Sequence, residues 1–310
     1  MKHLYCSLIL TALLGSSVGY AAAEEAKSKT FVYKTGSQTK LELVVHYPPD
    51  WKDTDRRPAI VFFFGGGWQK GTIAQFEPQA KYFASRGLVT VRADYRVKSR
   101  QDVTPKDCVE DAKSAIRWVR GHAKELGVDP DRIVAAGGSA GGHIAACTGL
   151  TPGLDAADED STISSKANAL VLYNPVVKFA GEERLMSRIG NDEKIGELIS
   201  PTLHLSSESP PALLLYGTAD PLLAQGKEFV DRANKEKVKA ELFTAEGENH
   251  SFFNRSPWLE TTTRRVDEFL KSIGYLEGEP TLKENDRLSA KPIERKGSNR
   301  KRTDQKVSDR

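Results

Sequence analysis

Residues 133–142 read Ile-Val-Ala-Ala-Gly-Gly-Ser-Ala-Gly-Gly and lead directly into an Ala-rich stretch. The apolar run 133–136 predicts a buried strand, and residues 142–149 predict a helix. Glycines on both sides of Ser139 allow the chain to turn sharply between these elements, holding the serine hydroxyl at the C-terminal end of the strand. A second interpretation stays open on these residues alone, because glycines also let a helix pack tightly against a strand.

Strand and helix patterns alternate along the rest of the chain. Apolar runs predict strands at 31–33, 41–47, 59–64, 88–93, 133–136, 169–173, 212–216 and 240–243. Helical patterns occupy 76–85, 109–122, 142–149, 226–235 and 259–273. Such alternation is typical of an α/β fold, so we expect eight strands in a mostly parallel sheet, opened by an antiparallel pair, with helices on both faces.

The overall composition argues against two classes of partner. At 310 residues, of which 39% are hydrophobic, the chain can bury the core of a single α/β domain. Its formal net charge of +3 is small beside 45 basic and 42 acidic residues, so we expect no nucleic-acid partner. The apolar run 4–14 is shorter than the roughly 20 residues that span a membrane, so we expect no membrane anchor.

The N-terminus has the pattern of a cleaved signal peptide. Positively charged Lys2 precedes the apolar run 4–14, and three alanines at 21–23 follow it at a natural cleavage point. Cys6 lies before the apolar run and leaves with the signal, so it cannot carry a lipid at the cleavage point. We therefore expect a signal peptide at 1–23 and a secreted or periplasmic protein.

The composition changes again near the C-terminus. Residues 279–310 are rich in Lys and Arg and nearly free of apolar side chains, which predicts a basic disordered tail. An anion-binding tail is the alternative, and a solvated extension is the favoured interpretation. The folded domain is then expected at 24–278.

Two cysteines, Cys108 and Cys147, remain after the signal is removed. An exported protein can oxidise such a pair to a disulfide. The two residues fall at different heights along neighbouring predicted helices, so we expect two buried thiols instead. No cysteine or histidine spacing resembles a zinc site, and we expect neither a metal nor a cofactor.

Six short motifs follow one another along the predicted elements. They are Phe63-Phe64-Gly65-Gly66-Gly67-Trp68, Ala93-Asp94-Tyr95-Arg96, Val109-Glu110-Asp111-Ala112, Gly137 to Gly142, Gly217-Thr218-Ala219-Asp220 and Glu248-Asn249-His250-Ser251-Phe252. Over roughly residues 30–275 the chain thereby resembles the α/β-hydrolase fold, in the esterase branch related to hormone-sensitive lipase and to bacterial acetyl and acetylxylan esterases. The resemblance implies an α/β-hydrolase catalytic domain at 24–278 with a small cap, and a serine carboxylesterase activity.

The resemblance also implies a catalytic triad of Ser139, His250 and Asp220. A serine hydroxyl is a poor nucleophile near neutral pH, so it needs a histidine to take its proton and a carboxylate to orient that histidine. Asp220 follows the strand 212–216 and His250 follows the strand 240–243. Both should therefore reach the C-terminal edge of the sheet together with Ser139.

Other residues compete for these roles. Glu246 and Glu248 lie close to the histidine in sequence, although we expect both to face solvent. Asp220 could simply form a turn before the proline that follows it. Among the other histidines, His143 comes one helical turn after the serine, and we expect it to pack beneath the turn.

An acyl-transfer enzyme must also stabilise the oxyanion of its tetrahedral intermediate. The resemblance implies backbone N–H donors from Gly66 and Gly67, which follow the strand 59–64, and from Ala140. The spacing from Gly66 to Gly71 is also that of a phosphate loop, but threonine stands where that motif requires lysine, so we exclude nucleotide binding.

Two aromatic residues flank these glycines. The related esterases usually have histidine before the glycines, where this chain has Phe64. The replacement alters the anchoring of the loop, and Phe64 could instead wedge the loop against the core. Trp68 comes after the glycines and is our candidate substrate-binding residue, by lining the pocket or stacking on a sugar; a packing role is the alternative.

The segment 179–211 is short for a cap, so we expect an open site. An open site suits a short acyl group on a bulky alcohol, which makes a small-molecule or carbohydrate ester the expected substrate. A serine peptidase of the same fold is the first alternative, although Ala140 stands where such enzymes often carry an aromatic residue. A non-catalytic binding protein is the second, and the intact triad argues against it.

Overall fold

The computed structural model describes residues 27–36 and 39–283. Its strands form one sheet in the order β1-β2-β4-β3-β5-β6-β7-β8. They are β1 (Ser28–Gly36), β2 (Thr39–His46), β3 (Arg57–Phe63), β4 (Val89–Ala93), β5 (Val128–Gly138), β6 (Ala169–Tyr173), β7 (Ala212–Gly217) and β8 (Ala240–Ala245). Strand β2 pairs antiparallel with β1 and β4, and all other pairs are parallel, which confirms the predicted eight-stranded, mostly parallel sheet. The predicted signal peptide and residues 284–310 of the predicted tail lie outside the described residues.

Helices connect the strands. The α-helices are α1 (Glu77–Ser85), α2 (Lys98–Gln101), α3 (Pro105–Gly121), α4 (Ala123–Leu126), α5 (Ala140–Leu150), α6 (Glu183–Met186), α7 (Glu193–Leu198), α8 (Leu223–Lys235) and α9 (Trp258–Ser272). Short 3-10 helices lie at Ile73–Phe76, Ser187–Ile189, Pro201–His204 and Phe252–Asn254. The five predicted helices correspond to α1, α3, α5, α8 and α9.

The inner strands bury side chains on both faces of the sheet. Every residue of β4, β6 and β7 is buried. Successive side chains of a strand point to opposite faces, so Phe63 packs in the cluster that includes α3 and α5, while Phe62 packs with Phe83 of α1 and Phe269 of α9. Parallel strands covered on both faces appear in a sequence as continuous apolar runs, which is why these strands were predictable.

The five predicted helices each begin one to four residues away from the position that the apolar pattern suggested. Helix α3 begins at Pro105 because Thr104 and Asp107 form a capping box before the apolar pattern starts. Helix α5 begins at Ala140, so Ser139 occupies its N-cap position.

The C-terminal ends of the central strands lie at one level. Gly137 of β5 pairs with Phe63 of β3, and Gly138 pairs with Tyr173 of β6. At the far side of this row, Gly217 of β7 pairs with Ala245 of β8. The loops that follow these strands therefore emerge along a single edge of the sheet.

Cys108 and Cys147 are buried free thiols, as predicted. Burial raises the pKa of Cys147 to about 12 and that of Cys108 well above its usual range, so neither thiol is ionised near neutral pH. Within residues 27–36 and 39–283, helices are all too short or too polar to cross a membrane. In the same residues, His, Cys, Asp and Glu side chains form no cluster that could hold a metal ion.

Candidate active site

Ser139 occupies the turn between β5 and α5 in a strained backbone conformation, with φ 53° and ψ −117°. Its N–H donates to the Tyr173 carbonyl at 2.8 Å, and its carbonyl accepts from the His143 N–H at 2.9 Å. A Cβ on Gly141 would lie 2.1 Å from the Phe63 carbonyl oxygen, so only glycine allows α5 to pass so close to the end of β3. The glycine-rich turn thus serves both the sharp turn and the tight packing.

His250 lies between Ser139 and Asp220. Its Nε2 is 2.9 Å from Ser139 Oγ, and its Nδ1 is 2.8 Å from Asp220 Oδ2. The Asp220 side chain is completely buried, whereas a third of the histidine side chain is exposed. With the proton on Nδ1 donated to the carboxylate, Nε2 is free to accept the serine proton. The structure therefore brings the three predicted triad residues into one hydrogen-bonded line.

The Asp220 carboxylate has two further donors. The Leu222 N–H donates to Oδ1 at 2.9 Å, and Asn174 Nδ2 donates to Oδ2 at 2.7 Å. Of the carboxylates in the described residues, Asp220 is the one hydrogen-bonded to His250. The competing Glu246 is exposed.

The glycine loop after β3 borders Ser139. A Cβ on Gly65 would lie 3.4 Å from Ser139 Cβ. Gly66 has φ +134°, and a Cβ there would lie 1.9 Å from the Lys70 carbonyl oxygen, so this turn requires glycine. Gly67 follows with φ +63°, and Ala140 is the first residue of α5, where N–H groups have no intrahelical acceptor. The three predicted oxyanion donors thus belong to two segments, the loop after β3 and the first turn of α5.

Phe64 anchors this loop by packing. Its ring is 1% exposed and stacks on Tyr95, with the ring centroids 4.2 Å apart. The Tyr95 hydroxyl donates to the Phe64 carbonyl at 2.6 Å. The Gly65 N–H donates to Gln75 Oε1 at 2.6 Å, which adds a polar anchor that the sequence did not indicate. The wedge hypothesis for Phe64 agrees with this geometry.

Trp68 is placed differently from the predicted substrate contact. Its side chain is only 3% exposed, and its ring packs against His143 and Phe179. The backbone at Trp68 is left-handed, with φ 60°. This placement favours the packing alternative, since so little of the indole remains for a ligand to contact.

His143, in α5, contacts both Trp68 after the glycine loop and Ile199 in the segment after β6. The Trp68 indole Nε1–H donates to its Nδ1 at 3.3 Å, and its Nε2 lies 2.8 Å from the Ile199 carbonyl oxygen. Burial lowers the pKa of His143 to about 4, so the ring is neutral near neutral pH. A neutral ring meets both partners only with its proton on Nε2, where it donates to the carbonyl.

The segment after β6 forms a small cap of short helices, among them α6 and α7. Arg188 extends from this segment to the glycine loop, where Nη1 donates to the Gly67 carbonyl at 3.1 Å. Its guanidinium carbon lies 5.7 Å from the centre of the Trp68 ring. The cap is thereby tied to the loop beside the nucleophile.

Comparison with known proteins places the chain among esterases. Residues 43–231 match the family model described as BD-FAE. Esterase 2 of Thermogutta terrifontis, in a structure described as phosphoramylated by tabun, is 48% identical, covers 83% of this chain and 98% of its own, and superimposes with a TM-score of 0.78. Its propionate-bound structure is 48% identical over 82% of this chain and 97% of its own, with a TM-score of 0.77.

Two curated relatives come from Mycobacterium tuberculosis. The probable carboxylic ester hydrolase LipM is 31% identical over 59% of this chain and 46% of its own length. Esterase LipQ is 31% identical over 66% of this chain and 52% of its own length. The chain spans about half the length of these curated relatives.

Proposed function

The chain belongs to the BD-FAE family of α/β-hydrolase esterases, and from that membership we propose that it is a serine carboxylesterase acting on short-acyl esters. The observation that supports this most is the hydrogen-bonded line from Ser139 through His250 to Asp220, with distances of 2.9 and 2.8 Å. The glycine loop that borders Ser139 supports the proposal further, because its backbone N–H groups are candidates to stabilise an oxyanion.

In the proposed first half-reaction, Ser139 Oγ attacks the ester carbonyl carbon while His250 Nε2 takes the hydroxyl proton. The carbonyl π electrons move onto oxygen, where the N–H groups of Gly66, Gly67 and Ala140 stabilise the negative charge. The intermediate collapses with loss of the alcohol, which leaves with the proton from Nε2. The product is an acyl ester on Ser139.

In the second half-reaction, water replaces the alcohol. His250 takes a proton from the water as its oxygen attacks the acyl carbon, and the same N–H groups stabilise the second oxyanion. Collapse of this intermediate returns the proton to Ser139 Oγ and releases the carboxylic acid. Asp220 keeps its negative charge throughout and stabilises the imidazolium that forms in each step.

The short-acyl preference is proposed from the small cap and from the similar structures. Structures of T. terrifontis esterase 2 are described with propionate and with butyrate bound. A small cap encloses little apolar surface for a long acyl chain, while an open site leaves room for a bulky alcohol such as an acetylated sugar. We propose in addition that residues 1–23 direct export and are then removed, and that residues 24–278 form the catalytic domain.

The test is a chain-length series of p-nitrophenyl esters with the wild type and Ser139→Ala. We expect acetate to butyrate to be turned over best, and Ser139→Ala to lose nearly all activity. Paraoxon should add one phosphoryl group to the wild type, at Ser139, as measured by mass spectrometry of peptides. Retained activity in Ser139→Ala would refute the nucleophile, and equal turnover of long-chain esters would refute the short-acyl preference.

A screen of the natural alcohol then follows. Acetylated xylan, acetylated glucosamine and feruloyl esters should be compared with aryl acetates under the same conditions. Faster acetate release from the sugars than from the aryl esters would support a carbohydrate substrate. Turnover of the aryl esters alone would contradict it.

A further inference from the structure

Asn174 is a buried amide at the C-terminal end of β6. It is 0% exposed and has a left-handed backbone, with φ 45°. Its N–H donates to the Leu215 carbonyl of β7 at 2.8 Å, which places the residue at the same sheet edge as Ser139. A buried side-chain amide must find partners for both of its ends.

The two ends of this amide reach two different loops. Nδ2 donates to Asp220 Oδ2 at 2.7 Å, in the loop after β7. Oδ1 accepts from the Ser251 N–H at 3.3 Å, in the loop after β8 and next to His250. The orientation of the amide follows from the chemistry, because a flipped amide would place its oxygen against the carboxylate.

Asp220 Oδ2 therefore receives two donors, the Asn174 amide and His250 Nδ1. With Leu222 N–H on Oδ1, the carboxylate plane is held at both oxygens. Without Asn174, Oδ2 has one donor fewer in a buried position, and the Ser251 N–H loses its acceptor. Both changes would let the carboxylate and the histidine loop move relative to Ser139.

We infer that Asn174 is a positioning residue that joins the acid of the triad to the loop of its base. The inference rests on the carboxylesterase function proposed above. Asparagine suits the position because it combines a donor, an acceptor and tolerance of a left-handed backbone. Aspartate keeps the shape and that tolerance but has no donor for Asp220 when ionised.

Asn174→Asp and Asn174→Gly separate positioning from space filling. Both residues adopt left-handed backbone without large strain, and Asp retains the volume and the acceptor for Ser251. We expect kcat for p-nitrophenyl acetate to fall about tenfold to a hundredfold in each variant, with KM changed by less than about twofold. Lys237→Gly, at an exposed residue with φ 61°, is the matched backbone control and should keep wild-type kcat.

A double-mutant cycle tests whether Asn174 acts through Asp220. In an Asp220→Ala background we expect Asn174→Asp to change the single-turnover rate by less than about twofold. A full tenfold loss in that background, or wild-type kcat in the Asn174→Asp single variant, would overturn the inference. Thermal melts identify variants that fail to fold.

If the Asn174 variants do not fold, NMR spectra of the wild type and of Asp220→Ala still decide the question. The side-chain amide protons of Asn174 should move upfield in Asp220→Ala, and unchanged amide shifts would overturn the inference. The proposed function has its own test: a wild type that hydrolyses no ester and is not labelled by paraoxon would refute it, whatever the Asn174 variants show.

Discussion

Acidification should weaken the folded protein through His143. The folded ring has a pKa of about 4, against 6.5 for a free histidine, because burial disfavours its charged form. As the pH falls below 6.5 the unfolded chain takes the proton first, so stability falls from there down to about pH 4 and is unaffected above 6.5. The difference corresponds to a loss of about 2.5 kcal/mol between about pH 7.5 and about pH 4.5.

The contacts of His143 link this loss to the active site. Protonation of Nδ1 would set two donors face to face, at the 3.3 Å contact with the Trp68 indole. Trp68 follows the glycine loop after β3, and Ile199 belongs to the cap. The first local structural change on acidification should therefore occur in that loop and in the cap. Loss of esterase activity on acidification should then accompany a change in tryptophan fluorescence.

The assay is urea unfolding of the wild type and His143→Gln between about pH 7.5 and about pH 4.5. Glutamine does not titrate, and its amide can replace Nε2 as donor to the Ile199 carbonyl. We expect His143→Gln to be less stable at neutral pH by about 1–3 kcal/mol, because the Trp68 N–H loses its acceptor. Between about pH 7.5 and about pH 4.5, its free energy of unfolding should fall by about 2.5 kcal/mol less than that of the wild type. Parallel curves for the two proteins would refute the reasoning.

Substitutions at three further positions test the glycine loop after β3 and its supports. Gly66→Ala should lower kcat for p-nitrophenyl acetate by about a hundredfold or more, because its Cβ would lie 1.9 Å from the Lys70 carbonyl oxygen and displace the donors. Gln75→Ala should lower kcat about tenfold by freeing the Gly65 N–H, and Gln75→Glu should restore it, since that side chain keeps an acceptor. Arg188→Met should lower kcat/KM about threefold to tenfold by releasing the Gly67 carbonyl from the cap.

Each of these has a control. Gly153→Ala also places a Cβ on a residue with positive φ, here +62°, but no atom lies within 4 Å of the new Cβ, so its kcat should stay at the wild-type value. Equal losses in Gly66→Ala and Gly153→Ala would contradict the steric argument. For Gln75, a loss in Gln75→Glu as large as in Gln75→Ala would contradict the acceptor role. Wild-type kcat/KM in Arg188→Met would show that the cap does not support the loop.

Much of the fold was predictable because its strands are buried on both faces. A continuous apolar run such as 169–173 has few alternatives to a central strand, and β6 covers the same residues. The turn around Ser139 was predictable for a related reason, since its glycines are required by local geometry. Its strained φ of 53° is a property of the turn itself. The close approach of Gly141 in α5 to Phe63 in β3 depends instead on tertiary packing.

Other features of the site depend on residues far apart in the chain. Asn174 and Asp220 are 46 positions apart, and Gln75 accepts a hydrogen bond from Gly65, ten positions before it. No local pattern marks either amide, because its role depends on which strand ends lie side by side. The choice between a pocket-lining and a packing role for Trp68 stayed open for the same reason, because the burial of its ring depends on Phe179 and on the helix α5, which lie far away in the sequence.

The succession of strands and helices along the chain and the sharp turn at Ser139 can be inferred from the residues alone, because burial patterns and glycine-dependent backbone conformations are local. The chain order of serine, acid and histidine follows from the resemblance to the α/β-hydrolase fold. Which groups meet depends on how the sheet and its loops fold together. The parallel register sets Gly138 beside Tyr173 and Gly217 beside Ala245, so the following loops can place His250 2.9 Å from Ser139 and Asn174 2.7 Å from Asp220. Hydrogen bonds form only over short distances. The proposed chemistry therefore depends on which loops the sheet brings together, and the linear sequence does not show this.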